Sequence, residues 1–160
     1  MSEILNYLKS LGIDYDLYEH PPIHRVGDDK GLDLKIPGCQ TKNLFLKDKK
    51  SKQFYLVCMS QNSKMDLKDF GKKLGGMKFS YGKAEDLKML LNVEPGSVSI
   101  FGLIFDVEKN VNLIIDKVLI ESDFVAFHPN NNTQTIVISS DDLKKFLSGF
   151  GNTIYDFINT

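Results

Sequence analysis

The sequence predicts an α/β fold: a mixed, mainly antiparallel sheet flanked by helices, in a single domain over residues 1–160. Three observations predict it. Short apolar runs suited to strands are interspersed with segments whose apolar residues recur at helical spacing. The two kinds follow one another without a strict strand–helix–strand rhythm, which argues against a purely parallel sheet. The length of 160 residues suits one domain with a sizeable core.

The elements follow in order. Ile4, Leu5, Leu8 and Leu11 fall on one helical face, and Gly12 stands where a left-handed terminal residue belongs. Tyr15 to Tyr18 reads as a short strand. His20 to Gly38 is irregular, broken by Pro21, Pro22 and Pro37. Leu44–Leu46 and Phe54–Val57 form a hairpin around the charged, exposed turn from Lys47 to Gln53. Asp66 caps a helix carrying Leu67, Phe70 and Leu74, ended by Gly75 and Gly76. A second helix carries Leu87, Leu90 and Leu91 and stops before Pro95. Val98 to Phe105 reads as a buried strand, and Val111–Ile115, Phe124–Phe127 and Thr135–Ile138 as further strands. Ser139 or Ser140 caps a last helix with Leu143, Phe146 and Leu147 inward, and Ser139 with Asp142 approximates a capping box. Tyr155 to Ile158 reads as a short helical turn.

Composition excludes several classes. Hydrophobic residues at 42% and charged residues at 26% are ordinary globular usage. A net charge of −1 excludes a grip on nucleic acid through bulk positive charge, while leaving room for a local basic face. Arg25 is the only arginine, so an extensive guanidinium fork for phosphates is not expected. No apolar run is long enough to span a bilayer, and neither a membrane nor DNA is an expected partner. The first residues read as an amphipathic helix without the basic start and apolar stretch of a secretory signal. Cys39 and Cys58 stand apart in no motif and read as reduced, so the expected location is cytoplasmic.

Familiar catalytic patterns are missing. His20 and His24 have the spacing of a helical metal pair, but Pro21 and Pro22 between them disfavour a helix, and no further ligand set completes a zinc site. No nucleophile elbow, P-loop or dinucleotide fingerprint occurs. No metal and no cofactor is expected. Cys39, three residues before Lys42, reads more simply as a small apolar filler than as an activated thiol.

Three polar segments stand at strand ends or tight turns. Thr41-Lys42-Asn43 enters a strand, where an ammonium can point into a cleft; on pattern alone a solvated lysine is the simpler reading. Pro95-Gly96-Ser97-Val98-Ser99-Ile100-Phe101-Gly102 combines two glycines and two hydroxyls, which would let backbone approach a ligand; a plain β-turn is the simpler alternative. His128-Pro129-Asn130-Asn131-Asn132-Thr133 is dense in neutral hydrogen-bonding groups, as is any asparagine-rich loop tip. Lys47, Lys49, Lys50 and Lys52 cluster in the hairpin turn. Lys64, Lys68 and Lys72 are spaced to share one helical face, for phosphates or for water.

At these residues the chain resembles the free-standing prolyl-tRNA editing domains of the YbaK/ProX superfamily, especially the alanyl-tRNA(Pro) deacylase branch. The resemblance runs from about Ile4 to Phe150. Its strings are Thr-Lys-Asn-Leu-Phe-Leu-Lys-Asp at 41–48, Met65-Asp66-Leu67-Lys68, Pro-Gly-Ser-Val-Ser at 95–99, Phe101-Gly102-Leu103-Ile104-Phe105-Asp106, Phe127-His128-Pro129 with Asn132 and Thr133, and Ile138-Ser139 before Asp142-Leu143. It implies the editing-domain fold and hydrolysis, in trans, of the ester of mischarged Ala-tRNA(Pro). Lys42 falls on the family's essential lysine and Asn43 on its neighbour. Gly96 opens the family's G-x-x-x-P loop, here with Ser97 and Ser99, and His128 falls in the histidine–proline motif that helps wall the pocket. Gly102 and Asn132 are further expected substrate contacts, and Ile23 and Val26 the expected pocket walls. Ile100 replaces the loop proline, which bears on loop stiffness, substrate preference and activity. The alternatives are a deacylase for Cys-tRNA(Pro) or another small residue, and a non-catalytic module binding tRNA or a synthetase. The expected partner is mischarged tRNA(Pro), with help from prolyl-tRNA synthetase or an elongation factor.

Overall fold

A computed structural model describes residues 2–21, 36–128, 133–149 and 154–157. The chain runs α1 (Ser2–Ser10), β1 (Asp16–Glu19), β2 (Cys39–Asp48), β3 (Phe54–Ser60), α2 (Leu67–Lys73), β4 (Phe79–Tyr81) and α3 (Ala84–Leu91). A 3-10 helix (Ile100–Phe105) follows, then β5 (Val111–Asp116), α4 (Lys117–Glu121), β6 (Phe124–Phe127), β7 (Gln134–Ser139), α5 (Ser140–Ser148) and β8 (Ile154–Phe157). The strands form one mixed sheet in the order β1-β7-β6-β2-β3-β5-β8, with β4 also paired to β2. The β1–β7, β6–β7, β2–β3 and β2–β4 pairs are antiparallel, and β2–β6, β3–β5 and β5–β8 are parallel. The expected mixed, mainly antiparallel sheet with flanking helices is therefore the observed architecture.

Alternation along the strands sorts side chains onto two cores. Phe45, Leu56, Cys58, Leu113 and Ile115 face the larger one, with α1, α3, α5 and the 3-10 helix. Leu46, Tyr55, Val57, Met59 and Ile114 face a smaller one beneath Phe70 of α2 and Phe79 of β4. In the larger core Phe101 meets Phe127 and Phe146 edge to face, with centroids 5.3 Å apart in each pair. Full burial of one such side chain stabilises the fold by about 1.5–3 kcal/mol.

Local signals behave as their chemistry requires. The Asp66 carboxylate accepts from the Lys68 and Asp69 N–H groups at the start of α2, and Ser139 Oγ accepts from Asp142 N–H at the start of α5. Gly12 adopts φ 71° after α1.

Four expectations are corrected. Val98–Phe105 is not a strand: Ile100–Phe105 is a 3-10 helix whose first turn is capped by Ser99 Oγ, which accepts from Phe101 N–H. A buried apolar run fits either state, and the cap decides. The tail is not helical: Ile154–Phe157 pairs in parallel with Leu113–Asp116, where the open edge of β5 offers backbone partners. Ile158 lies outside the described residues. Lys64 precedes α2 rather than sharing its face with Lys68 and Lys72. Finally, β4 and α4 were not expected, since each is too short to carry a periodic signal; α4 is started by Asp116, whose carboxylate accepts from Val118 N–H.

Candidate active site

The site is built by one strand changing neighbours. On one edge β2 pairs with β3 from Thr41 to Lys47. On its other edge it pairs first with β6, as Cys39↔Val125 and Gln40↔Ala126, and later with β4, as Leu46↔Tyr81 to Asp48↔Phe79. Gly82 N–H extends the β4 side by one bond to Phe45 O, at 2.8 Å. Between these two neighbours, the edge of β2 at residues 41–44 has no ladder partner on that side among the described residues. The Thr41 hydroxyl donates to Ala126 O at 2.7 Å and pins the last point of contact with β6. Beyond it the two parallel strands part. A crevice at the carboxyl end of parallel strands is where open α/β sheets bind ligands.

Lys42 and His128 stand at this parting. Each lies two residues past Gln40↔Ala126, the last pair of the β2–β6 ladder. Lys42 is partly buried, and its ammonium donates to Ser63 O. Burial lowers its pKa from the ordinary lysine value, because the charged form loses hydration. An ammonium has three donors, so one bond to Ser63 leaves capacity for a ligand. His128 Nδ1 lies 3.1 Å from Gln134 O. A carbonyl only accepts, so Nδ1 carries the proton in this contact.

Asn43 turns the other way. Strand alternation puts Lys42 on the face of Leu44 and Leu46 and Asn43 on the face of Phe45. Asn43 Oδ1 is buried with no hydrogen-bond partner among the described residues. Such an atom costs about 1–3 kcal/mol unless a ligand or water satisfies it.

The glycine segment leads into the larger core through Val98, Ile100 and Phe101. Ser97 N–H donates to Glu94 O at 3.2 Å, closing a turn with Pro95 and Gly96 at its centre. Gly96 has φ 94°, the conformation that a type II turn demands at this position. The Phe101–Phe127 ring contact then fixes the following helix against the residue before His128. Ser99 and Gly102 are both buried within this segment, Ser99 completely. The Ser99 hydroxyl caps Phe101, and Gly102 N–H donates to Ser99 O at 3.0 Å. These two residues build the loop from inside. Ile100 follows the cap as the first helical residue and is fully buried. Proline is favoured there because its fixed φ suits a helix start. The replacement of proline therefore lies in the core and not on a pocket wall.

Ile23, Val26 and Asn132 lie outside the described residues, as does His24. Cys39 and Cys58 are free thiols. Burial pushes the Cys58 thiol well up, with Cys39 and Asp116 adding to the effect, so Cys58 is no nucleophile. Sequence reasoning missed the part played by His20 and Thr135. Buried His20 has Nε2 at 2.8 Å from Thr135 Oγ1, Nδ1 at 2.9 Å from Pro21 O, and its ring 6.1 Å from that of His128. A threonine at an otherwise apolar strand end was the available signal, but its partner is 115 residues away in the chain.

Known proteins place this arrangement. A family profile described as an aminoacyl-tRNA editing domain matches residues 31–146. The prolyl-tRNA editing protein ProX of Acetoanaerobium sticklandii is 37% identical over 150 residues, covering 94% of this chain and 92% of that one. The prolyl-tRNA synthetase associated domain-containing protein 1 of Danio rerio is 32% identical over 147 residues, covering 91% of this chain and 79% of that one. A crystal structure named as a candidate trans-editing enzyme for prolyl tRNA synthetase superposes with a TM-score of 0.71, at 16% identity, over 99% of this chain and 96% of that one, and so shares the fold. This chain belongs to the aminoacyl-tRNA editing domain family.

Proposed function

We propose that this chain hydrolyses the ester of mischarged Ala-tRNA(Pro) in trans, releasing alanine and free tRNA. Family membership and the ProX relative support deacylation of a mischarged tRNA(Pro). The observation that carries the choice of site is that Lys42 and His128 each follow the last β2–β6 pair by two residues, where the strands part.

An aminoacyl ester is already activated, so a placed water suffices as nucleophile. The water adds to the carbonyl carbon, the C–O bond to the ribose breaks, and the ribose oxygen takes up a proton. Lys42 supplies positive charge to the developing oxyanion or to the terminal phosphate. One such donor is worth about 3 kcal/mol, or ~10²-fold in rate. His128 positions the amino acid, and Asn43 Oδ1 is an acceptor awaiting a donor on the other side of the strand. Gly96 and Ser97 bring backbone close to the bound end. A pocket sized for alanine refuses proline by clash.

The test is hydrolysis of end-labelled Ala-tRNA(Pro) beside Pro-tRNA(Pro) and Cys-tRNA(Pro), with Lys42→Ala in parallel. Loss of alanine alone, abolished in the variant, is the expected result. Preferred release of cysteine would move the substrate. Failure on every ester by a folded protein that binds tRNA would leave a binding module.

A further inference from the structure

The net charge of −1 hides a strong asymmetry. Residues 47–78 contain nine lysines and three aspartates, with no glutamate or arginine, for a net charge of +6. The rest of the chain carries eleven basic and eighteen acidic residues, a net of −7. The positive block is split in sequence between the β2–β3 turn and the region of α2. The fold joins the two halves. Lys49 N–H donates to Lys78 O at 2.8 Å, and Lys50 Nζ to Gly76 O at 2.9 Å.

The acids inside the block are largely spent on backbone. Asp48 is buried, and its carboxylate accepts from Lys78 N–H at 3.0 Å and from the N–H groups of Lys50 and Ser51. Asp66 is occupied at the start of α2. Lys49, Lys52, Lys68 and Lys72 are exposed around them. The block also connects to the candidate site. Lys42 lies on the face of β2 that α2 covers, and its ammonium reaches Ser63 in the segment leading to α2. From Lys42 to Asp48 along β2 is about 20 Å at the usual strand rise.

We propose that this lysine surface binds the phosphate backbone of an RNA stem whose 3′ end reaches Lys42. The proposal rests on the function proposed above and adds where the body of the substrate lies. The chemistry selects the partner. Lysines are mobile point charges that suit phosphates, whereas base edges call for planar forks. A lipid-binding face interleaves its charges with exposed apolar side chains. None of the exposed large hydrophobic residues among those described falls within 47–78. The bond from Lys42 to Ser63 O links the segment leading to α2 with the candidate ester site, the arrangement a stem ending in an aminoacylated nucleotide requires.

The test compares Lys49→Glu/Lys52→Glu/Lys72→Glu with Lys9→Glu/Lys88→Glu/Lys144→Glu, which makes the same charge change elsewhere. All six positions are exposed, and melting curves check that both variants fold. Two substrates are used: Ala-tRNA(Pro), and alanyl-adenosine ester, which has no stem. The surface variant is expected to lose about 100-fold in kcat/KM on the tRNA and nothing on the nucleoside ester, while the control stays within about threefold of wild type on both. The slope of log affinity for uncharged tRNA against log salt should fall by about 2–3 in the surface variant. Equal losses in the two variants, or an unaffected surface variant, would overturn the proposal. If the wild type cleaves neither ester, the functional reading fails, yet uncharged-tRNA affinity still decides the surface: an affinity insensitive to the surface variant sinks it. Binding to phosphatidylserine vesicles, lost in the surface variant and unmatched by any binding to tRNA, would reassign the surface to lipid.

Discussion

The rings of His20 and His128 meet edge to face with their centroids 6.1 Å apart and their planes at 69°. His20 is held on every side. Its N–H donates to Thr133 O at 2.9 Å, its Nδ1–H to Pro21 O at 2.9 Å, and its Nε2 bonds Thr135 Oγ1 at 2.8 Å. This fixed ring forms one wall against which His128 is oriented, and it reaches the site through His128.

His20→Ala should therefore act on both stability and substrate positioning. It strips Thr135 of its partner and should cost about 1–3 kcal/mol, read as a lower melting temperature. It should also raise KM for the mischarged tRNA more than it lowers kcat. The proton position on His128, read by nitrogen NMR, should become mixed in the variant. An unchanged tautomer with an unchanged KM would reduce His20 to a packing residue.

Lys42 makes activity and stability respond to pH in opposite directions. Burial lowers its pKa, so its ammonium is lost below the ordinary lysine value of about 10.4. Enzymatic kcat/KM, corrected for spontaneous ester hydrolysis, should fall as pH rises through that lowered pKa. Between the lowered and the ordinary value, the unfolded chain binds more protons at this position than the folded one. The Lys42 contribution to stability therefore rises with pH across that window. Lys42→Met keeps the aliphatic stem, and should lose about 100-fold or more in rate. The melting-temperature difference between wild type and variant, measured at pH 8 and pH 10, should shift in favour of wild type at the higher pH.

Asp48 holds the β2–β3 turn to the α2–β4 segment. Burial works to raise its carboxyl pKa. Hydrogen bonds from Lys78 N–H, the Ser51 hydroxyl and the N–H groups of Lys50 and Ser51 outweigh it, holding the pKa below the ordinary aspartate value. A depressed carboxyl pKa contributes stability above the unfolded value of about 3.9 and loses it as pH falls through the folded value. Asp48→Asn should cost about 1–3 kcal/mol at neutral pH. The gap to wild type should close in acid melts below about pH 4. A gap independent of pH would remove the carboxylate from this account.

Ile100 separates backbone from packing. Ser99 before it is extended, with φ −146° and ψ 151°, the conformation that a following proline favours. Ile100→Pro should keep the loop path, with part of the lost packing offset by about 0.4–1 kcal/mol from a stiffer unfolded chain. Ile100→Ala creates a cavity at a fully buried site and should cost about 2–5 kcal/mol. Chemical denaturation should rank wild type, then proline, then alanine. An alanine variant more stable than the proline variant would mean that the backbone, not the side chain, is the strained element.

The amino-acid sequence alone determined what local physics decides. The caps Asp66 and Ser139, the left-handed Gly12, the β2–β3 hairpin, and helices α1, α2, α3 and α5 were legible because each depends on neighbours within a turn or two. The candidate residues Lys42, Asn43, Gly96 and His128 were legible through motif strings and a family resemblance. Tertiary structure decided the rest. Ile154–Phe157 became a strand because a distant partner, the open edge of β5, was available to it. Only pairing between segments 86 residues apart could bring Lys42 and His128 to the point where β2 and β6 part, and only strand alternation could turn adjacent Lys42 and Asn43 to opposite faces. The lysine surface has the same origin: its charges are written in the sequence, but the backbone bonds that gather them across the β2–β3 turn and the α2–β4 segment exist only in the fold.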